Sequence, residues 1–160
     1  MMGSSTFVLF KKNCSISAED LLNFFKKFFL KENLIFNYDN EKYINNKLKY
    51  VQMGVSDKPF DEDYDRQMLF ELYDEPYDFR LHELSWENNG QEYFQAIIVD
   101  YFENNEDLLF KIMLAVLLEY PQAKLWMEED WCYTLEDLKK IEKNKPFDMD
   151  WCYKNPKDFL

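Results

Sequence analysis

The chain has 160 residues, enough to form a hydrophobic core, and its 47% apolar and 19% aromatic content exclude a disordered chain. This length fits a single domain covering residues 1–160. The formal net charge of −12 opposes binding to nucleic acid phosphates or anionic membranes and favours a basic partner. The sequence contains no apolar run close to the roughly 20 residues that span a bilayer.

The first fifty residues predict a strand, a helix and a second strand. Residues 7–10 are all apolar and predict the first strand. Ser17 is a candidate N-cap with Asp20 three residues on, and the apolar face that follows predicts the helix. Residues 34–38 predict the second strand. This part of the chain holds 8 basic and 5 acidic residues, so its net charge is +3.

The middle of the chain has a weaker pattern and carries most of the negative charge. Residues 49–55 and 79–86 predict strands, and the Asn-Gly pair at 89–90 predicts a hairpin from the latter into the next strand. Residues 68–73 fit either a strand or a helical turn. Residues 57–107 hold 16 acidic and 3 basic residues, a net charge of −13. This charge suits a basic partner, but a solvated face that keeps an aromatic-rich protein soluble is an equal alternative.

Residues 92–127 form the most apolar unit of the chain and predict a strand, a helix and a further strand. The first strand is apolar on both faces, which is typical of a strand covered on both sides. Asn105 and the acidic residues after it mark the start of a helix that runs to about Glu119. Pro121 ends that helix, and residues 123–127 predict the next strand.

The remainder of the chain predicts a short helix and an arm. Thr134 is the candidate N-cap of the helix, and residues 145–160 predict an irregular C-terminal arm. The tetrapeptide Asp-Trp-Cys-Tyr occurs at 130–133 and again at 150–153, and the sequence leaves open whether this is a true repeat. Together the elements predict one α+β domain, with a mixed or antiparallel sheet of about five strands and two main helices packed on it.

Residue types that carry common catalytic chemistry are sparse. His82 is the only histidine and lies in a predicted strand, so we interpret it as structural. Three glycines are too few for a phosphate loop, and the cysteines lack the short spacing of zinc ligands. Asp61, Asp63 and Asp65 resemble the start of a calcium loop, but Arg66 stands where its glycine would be. We predict no enzyme activity, metal or cofactor, although a carboxylate-based hydrolase stays open.

The cysteines and the N-terminus bear on the compartment. The first residues are too few and too polar for a signal peptide, and three cysteines without a pairing pattern fit a reducing environment. We therefore expect a cytoplasmic protein. Cys14, Cys132 and Cys152 are expected to be small buried residues rather than reactive ones.

A partner-binding surface is the functional feature that the sequence favours most. Acidic residues alternate with aromatic residues around 60–78 and again at 126–131. Exposed rings flanked by carboxylates suit a basic protein, because the ring buries apolar area and the acids pair with Arg or Lys. The predicted partner-binding residues are Asp61, Glu62, Asp63, Tyr64, Asp65, Asp74, Glu75, Asp78, Glu128, Glu129, Asp130 and Trp131. We expect a basic protein partner, without direct binding of nucleic acid or membrane, and leave the oligomeric state open.

Two parts of the chain carry a family resemblance. The acidic, aromatic middle at 61–78, and the unit at 92–127 followed by residues 133–137, resemble the small acidic immunity proteins of bacterial polymorphic or contact-dependent toxin systems. This resemblance implies a cytoplasmic, non-enzymatic inhibitor that binds one toxin domain tightly, often over its active site. A nucleic-acid-mimicking inhibitor of a DNA-binding system and a structural or adaptor domain are the alternatives.

Overall fold

The computed structural model describes residues 5–59, 67–74 and 81–159, and these ranges contain eight strands and three α-helices. The strands are β1 Ser5–Lys11, β2 Ile35–Ile44, β3 Lys47–Ser56, β4 Gln67–Tyr73, β5 Leu81–Glu83, β6 Glu92–Asp100, β7 Lys124–Trp126 and β8 Cys132–Tyr133. The helices are α1 Ala18–Lys31, α2 Glu106–Glu119 and α3 Leu135–Lys143.

All strands belong to one sheet in which every neighbouring pair is antiparallel. The order is β2-β3-β4-β6-β1-β7-β8, and β5 pairs with β6 beside this path. The α+β prediction is confirmed, and of its two alternatives the antiparallel sheet is correct. The expected counts of about five strands and two main helices are wrong for the described residues. Strands as short as β8, with 2 residues, are made by pairing with a neighbour and leave no periodicity in the sequence.

The helices pack on one face of the sheet and form the main core with it. Phe25 and Phe29 of α1 contact Phe70 of β4, with ring centroids 5.4 and 6.1 Å apart. α2 is apolar around most of its circumference, and seven of its apolar residues are buried members of the main core. This burial agrees with its position in the most apolar unit of the sequence.

The second face of the sheet carries a smaller apolar cluster. Its buried members are Phe7, Leu9, Leu84 and Tyr93. The turn at residues 84–87 crosses this face, since the carboxylate of Glu87 contacts Lys124 of β7 and accepts a 2.8 Å hydrogen bond from the Tyr93 hydroxyl.

The predicted strand at 79–86 is shorter than expected. Only Leu81–Glu83 is a strand among its described residues, and it pairs with β6 as the hairpin signal predicts. The connection is not a tight Asn-Gly turn. Residues 84–91 form a longer link in which Asn88 and Gly90 have φ angles of 50° and 71°.

The three helices start directly after their predicted N-caps, and two of these caps make the expected side-chain hydrogen bond. The Ser17 hydroxyl accepts a 3.0 Å hydrogen bond from the Asp20 amide at the start of α1. Thr134 and Asp137 form a reciprocal capping box on α3. Asn105 occupies the N-cap position of α2, but its side chain makes no capping hydrogen bond there.

The C-terminal arm is irregular, as predicted, with short 3-10 turns at Trp151–Tyr153 and Pro156–Asp158. The two Asp-Trp-Cys-Tyr stretches meet in space, because the Tyr133 hydroxyl donates a 2.8 Å hydrogen bond to the Trp151 carbonyl. One stretch contains a strand and the other a 3-10 turn, so they are not a structural repeat.

Candidate protein-binding surface

The strand register brings three acidic connections to one end of the sheet, which we call the acidic end. Asp100, the last residue of β6, pairs with Ser5 of β1 and with Leu69 of β4. Trp126, the last residue of β7, pairs with Phe7, two residues further along β1. The acidic end therefore comprises the described residues of the connections after β3, β6 and β7, with the first turn of α2: residues 57–59, 100–107 and 127–131.

Carboxylates dominate the acidic end. Its exposed or half-exposed acidic residues are Asp57, Asp100, Glu103, Asp107, Glu128, Glu129 and Asp130. Among the described residues of these connections, Lys58 is the only basic one. The concentration of like charge produces a negative field that attracts basic groups.

Tyr101 projects from the acidic end in an unusual backbone conformation. Its φ angle is +60°, a left-handed value that is rare for a bulky residue, and its side chain is 62% exposed. Phe102 anchors the next position in the core, fully buried. The buried Asn105 amide donates hydrogen bonds of 3.4 and 3.3 Å to the carbonyl oxygens of Tyr101 and Glu103. The connection thus holds the Tyr101 ring out in solvent.

A second exposed tyrosine reaches the acidic end from the C-terminal arm. Tyr153 is 50% exposed, and the Trp151 indole in the same turn donates a 2.8 Å hydrogen bond to the Glu106 carbonyl. Partial burial raises the pKa of Tyr153, and the neighbouring Cys152, Glu106 and Glu103 raise it further. Neither tyrosine was among the predicted binding residues, because both lie outside the stretches at 60–78 and 126–131 in which acidic and aromatic residues alternate.

The connection after β7 contains four of the predicted binding residues, three acids and Trp131. Glu128, Glu129 and Asp130 are exposed, and Glu128 has a left-handed φ of 62°. The indole nitrogen of Trp126 donates a 2.9 Å hydrogen bond to the Glu129 carbonyl. Trp131 instead packs edge-on against Tyr133, a member of the main core, at 5.0 Å. The three acids therefore lie together at the acidic end, and the Trp126 indole is hydrogen-bonded to the turn that carries them.

Asp74 lies at the opposite end of the sheet and is engaged inside the fold. Its carboxylate accepts hydrogen bonds from the Lys49 ammonium at 2.8 Å and from the Ala18 amide at 3.2 Å. The Asp74 side chain is 11% exposed. Its contacts tie β3 and β4 to the start of α1, which is a structural role. The other predicted residues, Asp61, Glu62, Asp63, Tyr64, Asp65, Glu75 and Asp78, lie outside the described residues.

His82 lies on the second face of the sheet, packed against Trp126 with ring centroids 4.9 Å apart. Its Nε2 atom is buried and has no hydrogen-bond partner within the described residues. Burial lowers the pKa of His82, and the nearby Glu128 carboxylate acts in the opposite direction. These surroundings agree with the structural interpretation of this histidine.

The three cysteines are all free, and their burial differs from the prediction. Cys14 is exposed, so the expectation of a buried residue is wrong there, because it lies in the surface loop between β1 and α1. Cys152 is buried and Cys132 is half-buried. Burial raises the pKa of the Cys132 and Cys152 thiols to about 12. Both are therefore poor nucleophiles at neutral pH.

The described residues were also compared with what a metal site, a ligand groove and a membrane-spanning helix require. Within the described ranges, no cluster of three or more His, Cys, Asp or Glu side chains could hold a metal ion. A groove of about 690 Å³ lies away from the acidic end, between α1 and the end of α2, with Phe24, Phe28 and Tyr120 in its lining. None of the helices in the described part of the chain combines the length and hydropathy needed to cross a membrane.

Comparison with known proteins gives no relative for this chain: no family model, no curated protein and no solved structure matches it.

Proposed function

We propose that this chain is a cytoplasmic, non-enzymatic inhibitor of the immunity type, which binds and neutralises a basic toxin domain through the acidic end. The observation that carries the proposal is the convergence of three acidic connections and two exposed tyrosines, Tyr101 and Tyr153, at one end of the sheet. A nuclease is the favoured target, because a site built to bind phosphates is cationic and complementary to these carboxylates.

The mixture of rings and carboxylates fits a protein partner better than a small ion. Tyrosine is among the residues that contribute most to binding energy at interfaces, because its ring buries a large area with few rotatable bonds. Carboxylates around the rings select basic partners and accelerate their encounter at low salt. The exposed Tyr101 and the turn at 128–130 supply these two components at one end of the sheet.

Affinity capture from the native host at low and at high salt tests the proposal. We expect one dominant basic protein, held more weakly at high salt because exposed charges are screened. The same capture with the variant Glu128→Lys/Glu129→Lys/Asp130→Lys should recover much less of that protein.

The matched control reverses three exposed acids elsewhere, in the variant Glu41→Lys/Glu119→Lys/Glu142→Lys. It changes the net charge by the same amount, so unreduced capture would assign the effect to the acidic end rather than to overall charge. Capture of no basic protein at either salt, or equal loss in both variants, would contradict the proposed function.

A further inference from the structure

The outer edge of β2 is a long strand edge that nothing in the described structure covers. β2 has 10 residues and ends the sheet on one side, whereas β8 ends it on the other side with 2. Residues 37–44 are all exposed. A terminal strand presents unpaired N–H and C=O groups, which are a template for another strand.

Apolar side chains line the helix-facing flank of this edge. The Lys26 ammonium lies 4.1 Å from the centre of the Tyr38 ring, so α1 runs directly above β2 at this point. Leu30, one turn further along α1, is exposed on the same flank. Phe36 packs on the core residue Phe29 at 5.5 Å and continues the line along β2. We call Leu30, Phe36 and Tyr38 the edge strip.

Charge indicates which occupant this edge can accept. The whole chain carries −12, so two copies repel each other over most of their surfaces. The two elements at this edge, α1 and β2, together hold four basic and four acidic residues, so their charges cancel and a second copy meets least repulsion there. A second copy also brings an identical strand edge and an identical edge strip, which a two-fold axis makes self-complementary.

We infer that two copies of this chain pair through β2 to form a dimer with one continuous antiparallel sheet. Regular pairing of β2 with β3 runs from Ile35 to Asp39 and shifts at Asn40, whose φ is 54°. A two-fold axis at Asn37 uses this whole regular stretch. It places Phe36 opposite Tyr38 of the second copy, an aromatic pair on the side where Leu30 lies.

Two alternative registers further along β2 are less favourable. An axis at Asn40 would set Asp39 opposite Glu41, and an axis at Asp39 would set two aspartates face to face. Like charges directly opposite each other destabilise a strand pair. The axis at Asn37 instead sets Asp39 opposite Ile35 and avoids both clashes.

Sedimentation equilibrium over a range of concentrations tests the dimer. The average mass of the wild-type chain should rise from 19.6 kDa towards twice that value. The variant Leu30→Glu/Tyr38→Glu should stay monomeric, because it places repelling carboxylates in the edge strip. A wild-type chain that stays monomeric up to about 300 µM would overturn the inference, since a dimer with a Kd below about 1 mM would be substantially populated at that concentration.

A matched control uses the same residue types at similar exposure outside the proposed contact. Leu118 is 55% exposed on α2 and Tyr43 is 58% exposed beyond the regular stretch of β2. The variant Leu118→Glu/Tyr43→Glu should associate like the wild type. If it also became monomeric, added charge rather than the edge strip would explain the loss, and the assignment to this strip would fail.

Cross-linking tests the register independently. In a Cys14→Ser background, Asn37→Cys places two cysteines opposite each other at the axis, where Cβ atoms about 4.5 Å apart are within reach of a disulfide. Mild oxidation should give a covalent dimer on a non-reducing gel, whereas Tyr43→Cys should give none. A covalent dimer from Tyr43→Cys and not from Asn37→Cys would contradict the axis.

Discussion

At the scale of single residues, the left-handed backbone of Tyr101 at the candidate interface lowers the stability of the fold. A left-handed backbone costs an ordinary residue about 1–2 kcal/mol, whereas asparagine tolerates it. The ring is 62% exposed, so its removal forfeits little burial. Tyr101→Asn should therefore raise the free energy of unfolding by about 1 kcal/mol in urea denaturation.

Tyr43 is the matched control, since it is 58% exposed but lies in a strand. Tyr43→Asn should leave the free energy of unfolding unchanged or lower it by about 0.5 kcal/mol, because asparagine is a poor strand residue. A gain at both positions, or a loss at Tyr101, would show that the left-handed conformation stores no strain.

The three cysteines should differ in their reactivity towards thiol reagents, because their thiol pKa values and exposures differ. Burial raises the pKa of Cys132 and Cys152 to about 12, so the reactive thiolate is nearly absent from both at pH 8. Cys14 is exposed. A thiol reagent at pH 8 should label Cys14 alone in the folded protein and all three cysteines after unfolding, as counted by mass spectrometry. Labelling of Cys132 in the folded protein at the rate of Cys14 would contradict this burial.

Asp74 shows how sequence reasoning assigned a structural residue to the interface. It lies between acidic and aromatic neighbours, but its partner Lys49 is on another strand and only the fold brings the two together. Asp74→Asn removes a carboxylate that contacts the buried Lys49 ammonium and should lower the free energy of unfolding by about 2–4 kcal/mol. Chemical denaturation measures this, and a change below about 0.5 kcal/mol would place the pair among weak surface ion pairs.

At the scale of elements, helix caps could be predicted from the sequence, whereas the lengths of the short strands could not. The starts of α1 and α3 follow from Ser17 and Thr134, because a cap and its helix are adjacent in the sequence. The lengths of β5 and β8 depend on neighbouring strands that the sequence does not specify. The position of Tyr153 could not be predicted for the same reason, because this residue reaches the acidic end only through the packing of the C-terminal arm on the start of α2.

The capping box of α3 provides the test at this scale. Thr134→Ala removes the hydroxyl that accepts from the Asp137 amide and should lower the free energy of unfolding by about 1 kcal/mol. Thr134→Ser keeps the hydroxyl and serves as the control. Equal losses in the two variants, measured by urea denaturation, would show that the methyl group rather than the cap matters.

At the scale of the whole molecule, the uneven charge along the sequence gives the acidic end a different charge from the region of α1 and β2. The segment at 57–107, with a net charge of −13, contributes two of the three connections of the acidic end. The segment at 1–50, with +3, contributes α1 and the free edge of β2. The sequence predicted an acidic, aromatic surface in general terms. It could not show which rings join it, because that depends on strand register.

We propose that the acidic end binds a basic protein, and titration calorimetry with the captured domain is the most direct test of this binding. The wild-type chain should bind more weakly as salt rises from about 50 to 300 mM. The variant Glu128→Lys/Glu129→Lys/Asp130→Lys should lose about tenfold or more in affinity at low salt and show a weaker salt dependence. Wild-type affinity in this variant, with an unchanged salt dependence, would contradict the account.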